Sequence, residues 1–164
     1  MRGKNKITFF ALSVSLMAPL MGCGASLDKV VEDQCPRVDV LVTADSWQQG
    51  GVTAQLQLAE LTCFIDSKTD DLLAEVKVRG SVSQNGVSLP LFAAALNTKD
   101  EIVARTQVEI SPSETDYSLS LPKFVYGQKA AETAKARVVV GFVLTPEQLE
   151  ANRRRFAKQL GLRD

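Results

Sequence analysis

Past residue 35 the chain is written in short alternations of apolar and polar side chains. Val52, Ala54, Leu56 and Leu58 alternate with Thr53, Gln55, Gln57 and Ala59. Period two with one polar face predicts an antiparallel strand across residues 52–65. The pattern repeats over residues 73–82, where Leu73, Glu75, Lys77 and Arg79 oppose Ala74, Val76, Val78 and Gly80. Asn85-Gly86 is the strongest short hairpin signal, and residues 87–96 are expected to return as its second strand. Within it Leu91 to Leu96 is apolar without alternation. That predicts a strand buried on both faces, the alternative being an exposed edge that accepts another strand. Further strands are expected at 38–42, 102–110, 117–121 and 137–144. Residues 45–51, 66–71 and 97–101 read as loops and turns, and Ser111-Pro112-Ser113 as a breaker. Residues 127–137, rich in Ala and Lys, read as a loop or a short helical excursion. Seven strand candidates with regular turns and no βαβ alternation predict an all-β antiparallel sandwich over 35–144, with a small barrel as the alternative.

The ending changes period. Thr145-Pro146-Glu147-Gln148 is a helix start, with Thr145 as cap, Pro146 at the first helical position and Gln148 closing a capping box. Leu149, Phe156 and Leu160 share one face of the helix expected over 145–164. Arg153, Arg154, Arg155 and Lys158 make the rest basic. Packing on the sandwich through Leu149 and Phe156 is one reading of that helix. A cationic surface for anionic lipid or an acidic partner is the other.

The beginning is different again. Arg2, Lys4 and Lys6 precede the apolar run 7–20, the layout of a secretory signal peptide over residues 1–22. The run is short for a membrane span, which takes about 20 apolar residues. Leu20-Met21-Gly22-Cys23 resembles the bacterial lipobox. The resemblance implies that Cys23 receives a diacylglycerol, that the bond before it is cut, and that its new amine is acylated. Anchoring by several acyl chains is stable. Gly24 follows the cysteine, and by analogy with the enterobacterial sorting rule this implies the periplasmic face of the outer membrane. Residues 23–34 read as a short polar tether.

Of three cysteines, lipidation takes Cys23. An exported chain with Cys35 and Cys63 left over is expected to join them in one disulfide, the alternative being two buried thiols. Two thiolates without histidine fall short of a zinc site. The chain has no histidine at all, which removes the usual general base and the ordinary Ser-His-Asp triad. Lys+Arg 19 balance Asp+Glu 19, against a basic nucleic-acid binder. Asp70-Asp71, Asp100-Glu101 and Glu32-Asp33 read as solvated turn or tether residues. Ser67-Lys68 are adjacent in a turn and lack the geometry of a catalytic dyad. Trp47, the single tryptophan, falls in the expected loop. It either folds over the sandwich end or anchors a partner.

The Cys35-Pro36 opening, Cys63, Leu91-Phe92-Ala93-Ala94 and the ending Gly141-Phe142-Val143-Leu144-Thr145-Pro146-Glu147-Gln148-Leu149 are similar to a group of uncharacterised proteobacterial envelope lipoproteins. The layout also resembles small immunoglobulin-like sandwiches on bacterial lipoproteins. The first resemblance implies no activity. The expectation is a non-catalytic, lipid-anchored interaction or scaffold module in a cell-envelope complex, without metal or cofactor. The alternative is a carrier holding an apolar ligand in a β-cup. The partner surface would be built from Trp47, Arg153, Arg154, Arg155 and Lys158.

Overall fold

The alternating segments pair into two sheets whose apolar faces meet. The structure is a computed structural model and describes residues 27–29, 35–66, 69, 71–129 and 137–162. The signal peptide, Cys23, most of the tether and the centre of the Ala- and Lys-rich stretch lie outside the described residues.

The elements are β1 (Leu27–Lys29), β2 (Arg37–Val40), β3 (Ser46–Gln49), β4 (Val52–Asp66), β5 (Asp71–Val82), β6 (Leu89–Leu96), β7 (Ile102–Ile110), β8 (Asp116–Ser120), β9 (Phe124–Lys129), β10 (Arg137–Phe142) and α1 (Pro146–Gln159). One sheet is centred on β4 and β5. β1 and β3 share the outer side of β4, and β8 and β9 share the outer side of β5. The other sheet runs β2-β10-β6-β7. Each sheet is therefore four strands wide, one position more in total than the seven expected. The architecture is an all-β sandwich.

The interior is filled. Leu72, Val76 and Val78 of one sheet and Leu89, Leu91, Ala93, Ala95, Val138 and Val140 of the other are completely buried. They form one apolar cluster with Trp47, Leu56, Cys63 and Phe142. Each fully buried Val or Leu contributes about 1.5–3 kcal/mol. On β6 the residues between the inner ones are buried as well: Ala94 and Leu96 cluster with Val139 on the outer face. The unalternating run 91–96 is thus covered on both sides, as its composition predicts.

Several details depart from the sequence reading. A bulge between Leu56 and Leu58 shifts the phase of β4. Leu58 turns out to solvent, while Ala59, Leu61 and Cys63 face in, as one extra residue on a strand requires. Residues 46–49 are a strand, not part of a loop, because their edge is completed by β4 on one side and by the helix on the other. β9 occupies part of the stretch read as loop or helix. Leu27–Lys29, within the expected tether, pair with Phe64–Asp66. The parallel pairing of β2 with β10 interrupts an otherwise antiparallel pattern. Asn85-Gly86 is not a hairpin. β5 and β6 lie in different sheets, and the turn crosses between them. Gly86 N–H donates to Pro112 O at 2.7 Å and Asn85 Nδ2 to Ser113 O at 3.2 Å. The inner faces of β5 and β6 meet across the sandwich instead, where Val76, Val78, Leu89 and Leu91 share one core cluster.

The disulfide Cys35–Cys63 is formed. Cys35 precedes β2 and Cys63 lies in β4, so the bond joins the two sheets.

Candidate functional site

The helix places a wall beside the polar outer face of the β3-β4-β5 sheet. Its start is fixed by the predicted capping box. Gln148 N–H donates to Thr145 Oγ1 at 3.3 Å, and Thr145 N–H donates to Gln148 Oε1 at 2.9 Å. The Glu147 carboxyl is held below its ordinary range by a hydrogen bond from its own backbone N–H and by one from the Thr145 hydroxyl.

What docks the helix is polar. Asn152 is its one buried residue. Asn152 Nδ2 donates to Ser46 O at 2.8 Å and to Thr43 O at 3.2 Å, and its Oδ1 accepts from Ser46 Oγ at 3.0 Å. Gln148 Nε2 donates to Gln48 O. Ser46 O and Gln48 O are carbonyls on the free edge of β3. Two side-chain amides thus take the place of a neighbouring strand and cover an edge that otherwise invites aggregation. Arg155 adds an ion pair to Asp45 at 2.6 Å. The helix runs antiparallel to β3, with Gln148 beside Gln48 and Asn152 beside Ser46.

Between wall and sheet runs a groove of about 560 Å³. Its floor carries Ser46, Gln48, Thr53, Gln55, Ser81 and Ser83, and Gln148, Ala151, Asn152 and Arg155 line the helix side. Trp47, Ala54 and Val82 line it as well, so the groove mixes hydroxyls and amides with apolar side chains, with one cation already paired. A second, open depression on the same face, between β4-β5 and β8, is lined by Arg79, Glu114, Asp116 and Tyr117 among others.

The sequence-predicted residues divide as follows. Trp47 is not a projecting loop aromatic: at 6% exposure it belongs to the core, because its place opposite Ala54 turns it inward, and it also lines the groove. Arg155 borders the groove. Arg153, Arg154 and Lys158 are exposed along the helix, with Arg154 also 3.7 Å from Glu150. Leu149 and Phe156 are half-buried, and Leu160 is 58% exposed, so the apolar stripe is a secondary contact. Asn152 and Gln148 are the docking residues that the apolar pattern does not single out as such. Asn152 lies three residues after Leu149 and four before Phe156, on their face, and a polar residue in that seam is the signal that marks it.

Cys23 and the pairs Glu32-Asp33 and Ser67-Lys68 lie outside the described residues, as does Asp70. Asp100 pairs with Arg137 at 3.0 Å, and Glu101 accepts from Asn97 at 2.8 Å. Among the described residues no three His, Cys, Asp or Glu side chains converge to hold a metal, and no helix is long and apolar enough to cross a membrane.

No protein-family model, curated protein or solved structure matches the chain. The functional reading therefore rests on its own residues.

Proposed function

We propose that the chain is a lipid-anchored, non-catalytic interaction module of the bacterial cell envelope, tethered through an acylated Cys23 to the periplasmic face of the outer membrane, with the groove beside α1 and the adjoining cationic helix face as its partner surface. The observation that carries the choice between interaction module and carrier is the filled interior. Completely buried side chains from both sheets meet in one cluster, where a carrier needs a closed apolar cavity. Two depressions open on the outer face instead. The lipobox-like Leu20-Met21-Gly22-Cys23 supports the anchor. The Cys35–Cys63 disulfide suits an oxidising compartment.

The test is site-specific photocrosslinking from Gln55 and Ser81 in intact envelopes, with mass spectrometry of attached proteins and lipids. A stoichiometric protein partner captured from both positions is expected. Lipid recovered without a protein partner would instead favour the carrier. Cys23→Ser should yield a precursor that is neither acylated nor cut after Gly22, and normal maturation of that variant would overturn the anchor.

A further inference from the structure

We infer that the end of the sandwich carrying β1 is a membrane seat, in which Ile102, Val103 and Val125 rest in the headgroup layer of the bilayer that holds the anchor, leaving the groove turned away from the lipid. The inference rests on the lipid-anchored reading and gives it a direction.

Three observations converge on one end of the molecule. First, the register of β1 fixes where the chain enters the fold. Leu27 lies opposite Asp66 and Lys29 opposite Phe64, so β1 runs inward from the last residue of β4. Leu27, where β1 begins, therefore stands at the Asp66 end. Cys23 is four residues earlier, and four residues span at most about 14 Å. An acylated Cys23 keeps this end, and no other, within reach of the lipid surface.

Second, this end shows apolar side chains to water. Ile102 is 61% exposed, Val125 50% and Val103 36%. Ile102 pairs with Leu96 at the mouth of the β6-β7 hairpin, and Val125 pairs with Leu73 near the start of β5. Ile102 lies beside Leu96 on the outer face of one sheet and Val125 beside Leu73 on the outer face of the other, and β7 and β9 pack against each other where the two sheets meet, so these side chains flank one edge of this end. Isolated exposed apolar residues need no account; here they stand at the end where β1 enters the fold. Lys99 in the adjoining turn is exposed, as are its neighbours Asp100 and Glu101, and Lys123 beside β9 pairs with Glu75 at 3.8 Å and stands over the Phe64 ring, so the apolar side chains and not a net positive charge make the contact.

Third, the groove is far away. Gln55 in its floor is opposite Ser46, and β4 continues from there to Phe64. That is roughly nine strand steps, or about 30 Å. A seat on the β1 end carries the groove out beyond the headgroups, open to a periplasmic partner.

The experiment uses the acylated full chain in vesicles of phosphatidylethanolamine and phosphatidylglycerol containing a brominated-lipid quencher. Thr98→Cys places a fluorophore in the β6-β7 turn, and Gln84→Cys places it in the turn at the far end. Both positions are exposed, and the added thiol is the only one left free once Cys23 is acylated and Cys35–Cys63 are joined. Quenching several-fold stronger at position 98 than at 84 is expected. Combining Ile102→Asp with Val125→Asp should cut the quenching at 98 at least twofold while the chain stays vesicle-bound. Equal quenching at the two positions, stronger quenching at 84, or indifference to the double aspartate variant overturns the seat while leaving the anchor intact. A chain that carries no acyl group and floats free of vesicles overturns the anchor and the seat together.

Discussion

At the scale of single residues, Tyr117 and Gly80 form the tightest spot in the fold. They are cross-strand partners on β8 and β5. A Cβ on Gly80 would collide with Gln55 O and lie 2.6 Å from the Tyr117 hydroxyl. A backbone oxygen held in a sheet cannot step aside, so Gly80→Ala is expected to cost about 1–3 kcal/mol by overpacking, read from the urea midpoint. An unchanged midpoint would show that the strands separate freely here. The Tyr117 hydroxyl is buried, and no hydrogen-bond partner is found for it among the described residues. Burial pushes its pKa up from 10.0 to about 12. The folded state therefore keeps a proton that the unfolded chain loses near pH 10. The resulting stability is fully present below pH 10 and is lost as pH rises towards 12. Tyr117→Phe removes a buried hydroxyl without orphaning a partner. It should be neutral or stabilising by up to about 1 kcal/mol at neutral pH, and should flatten the alkaline decline between pH 10 and 12. Denaturant titrations across that range, wild type against variant, check both; a parallel decline of the two proteins would contradict the assignment.

At the scale of elements, the helix is held by hydrogen bonds more than by apolar area, and this sets its weakest point. Asn152→Ala strips donors from Ser46 O and Thr43 O and an acceptor from Ser46 Oγ. Leaving such groups unpaired costs about 1–3 kcal/mol. Amide hydrogen exchange should speed up in α1 and β3 while the β4-β5 centre stays protected. Asn152→Leu, which restores bulk and apolar character, should not recover the protection; recovery would mean that packing holds the helix. The same element explains what the sequence can and cannot disclose. The capping box at Thr145 and Gln148 is a local pattern, and the helix starts where that pattern says. The strands 52–66, 71–82, 89–96, 102–110 and 137–142 follow from periodicity and composition for the same reason. β3 is illegible along the chain because Ser46, Gln48 and Gln49 are polar and the segment is a strand only through β4 and the helix amides. The burial of Trp47 is hidden with it. Asn85-Gly86 carries true turn chemistry, with Gly86 at φ 72°, yet a turn residue does not say whether its flanking strands share a sheet. The choice between one sheet and two is made by burial of the β5 and β6 inner faces, which no four-residue window contains.

At the scale of the whole molecule, the disulfide is placed where the two halves of the fold need it. Cys35 leads into β2 of one sheet and Cys63 belongs to β4 of the other. The bond lies near the end where β1 enters, so a pull on the chain from its N-terminal side meets a covalent tie before it reaches the β2-β10 pairing. Its existence is legible from cysteine parity; its role as a tie between sheets needs the fold. The candidate site is less legible. The basic residues of the helix can be read along the chain, but the groove combines residues 46–55, 81–83 and 148–155, which only the three-dimensional arrangement brings together. Because both sheets contribute to one apolar cluster, the sandwich is expected to unfold in a single transition rather than sheet by sheet. Closing a loop over a sequence separation of 28 stabilises by about 3–4 kcal/mol in the chain-entropy model. The paired substitution Cys35→Ser with Cys63→Ser should therefore move the urea midpoint down by about 1–3 M at an ordinary denaturant slope, with the transition remaining single. Two resolved transitions in the variant would mean that the bond, not the shared core, makes the sheets cooperate. A shift of less than about 0.3 M would mean that the unfolded chain already holds residues 35 and 63 close together.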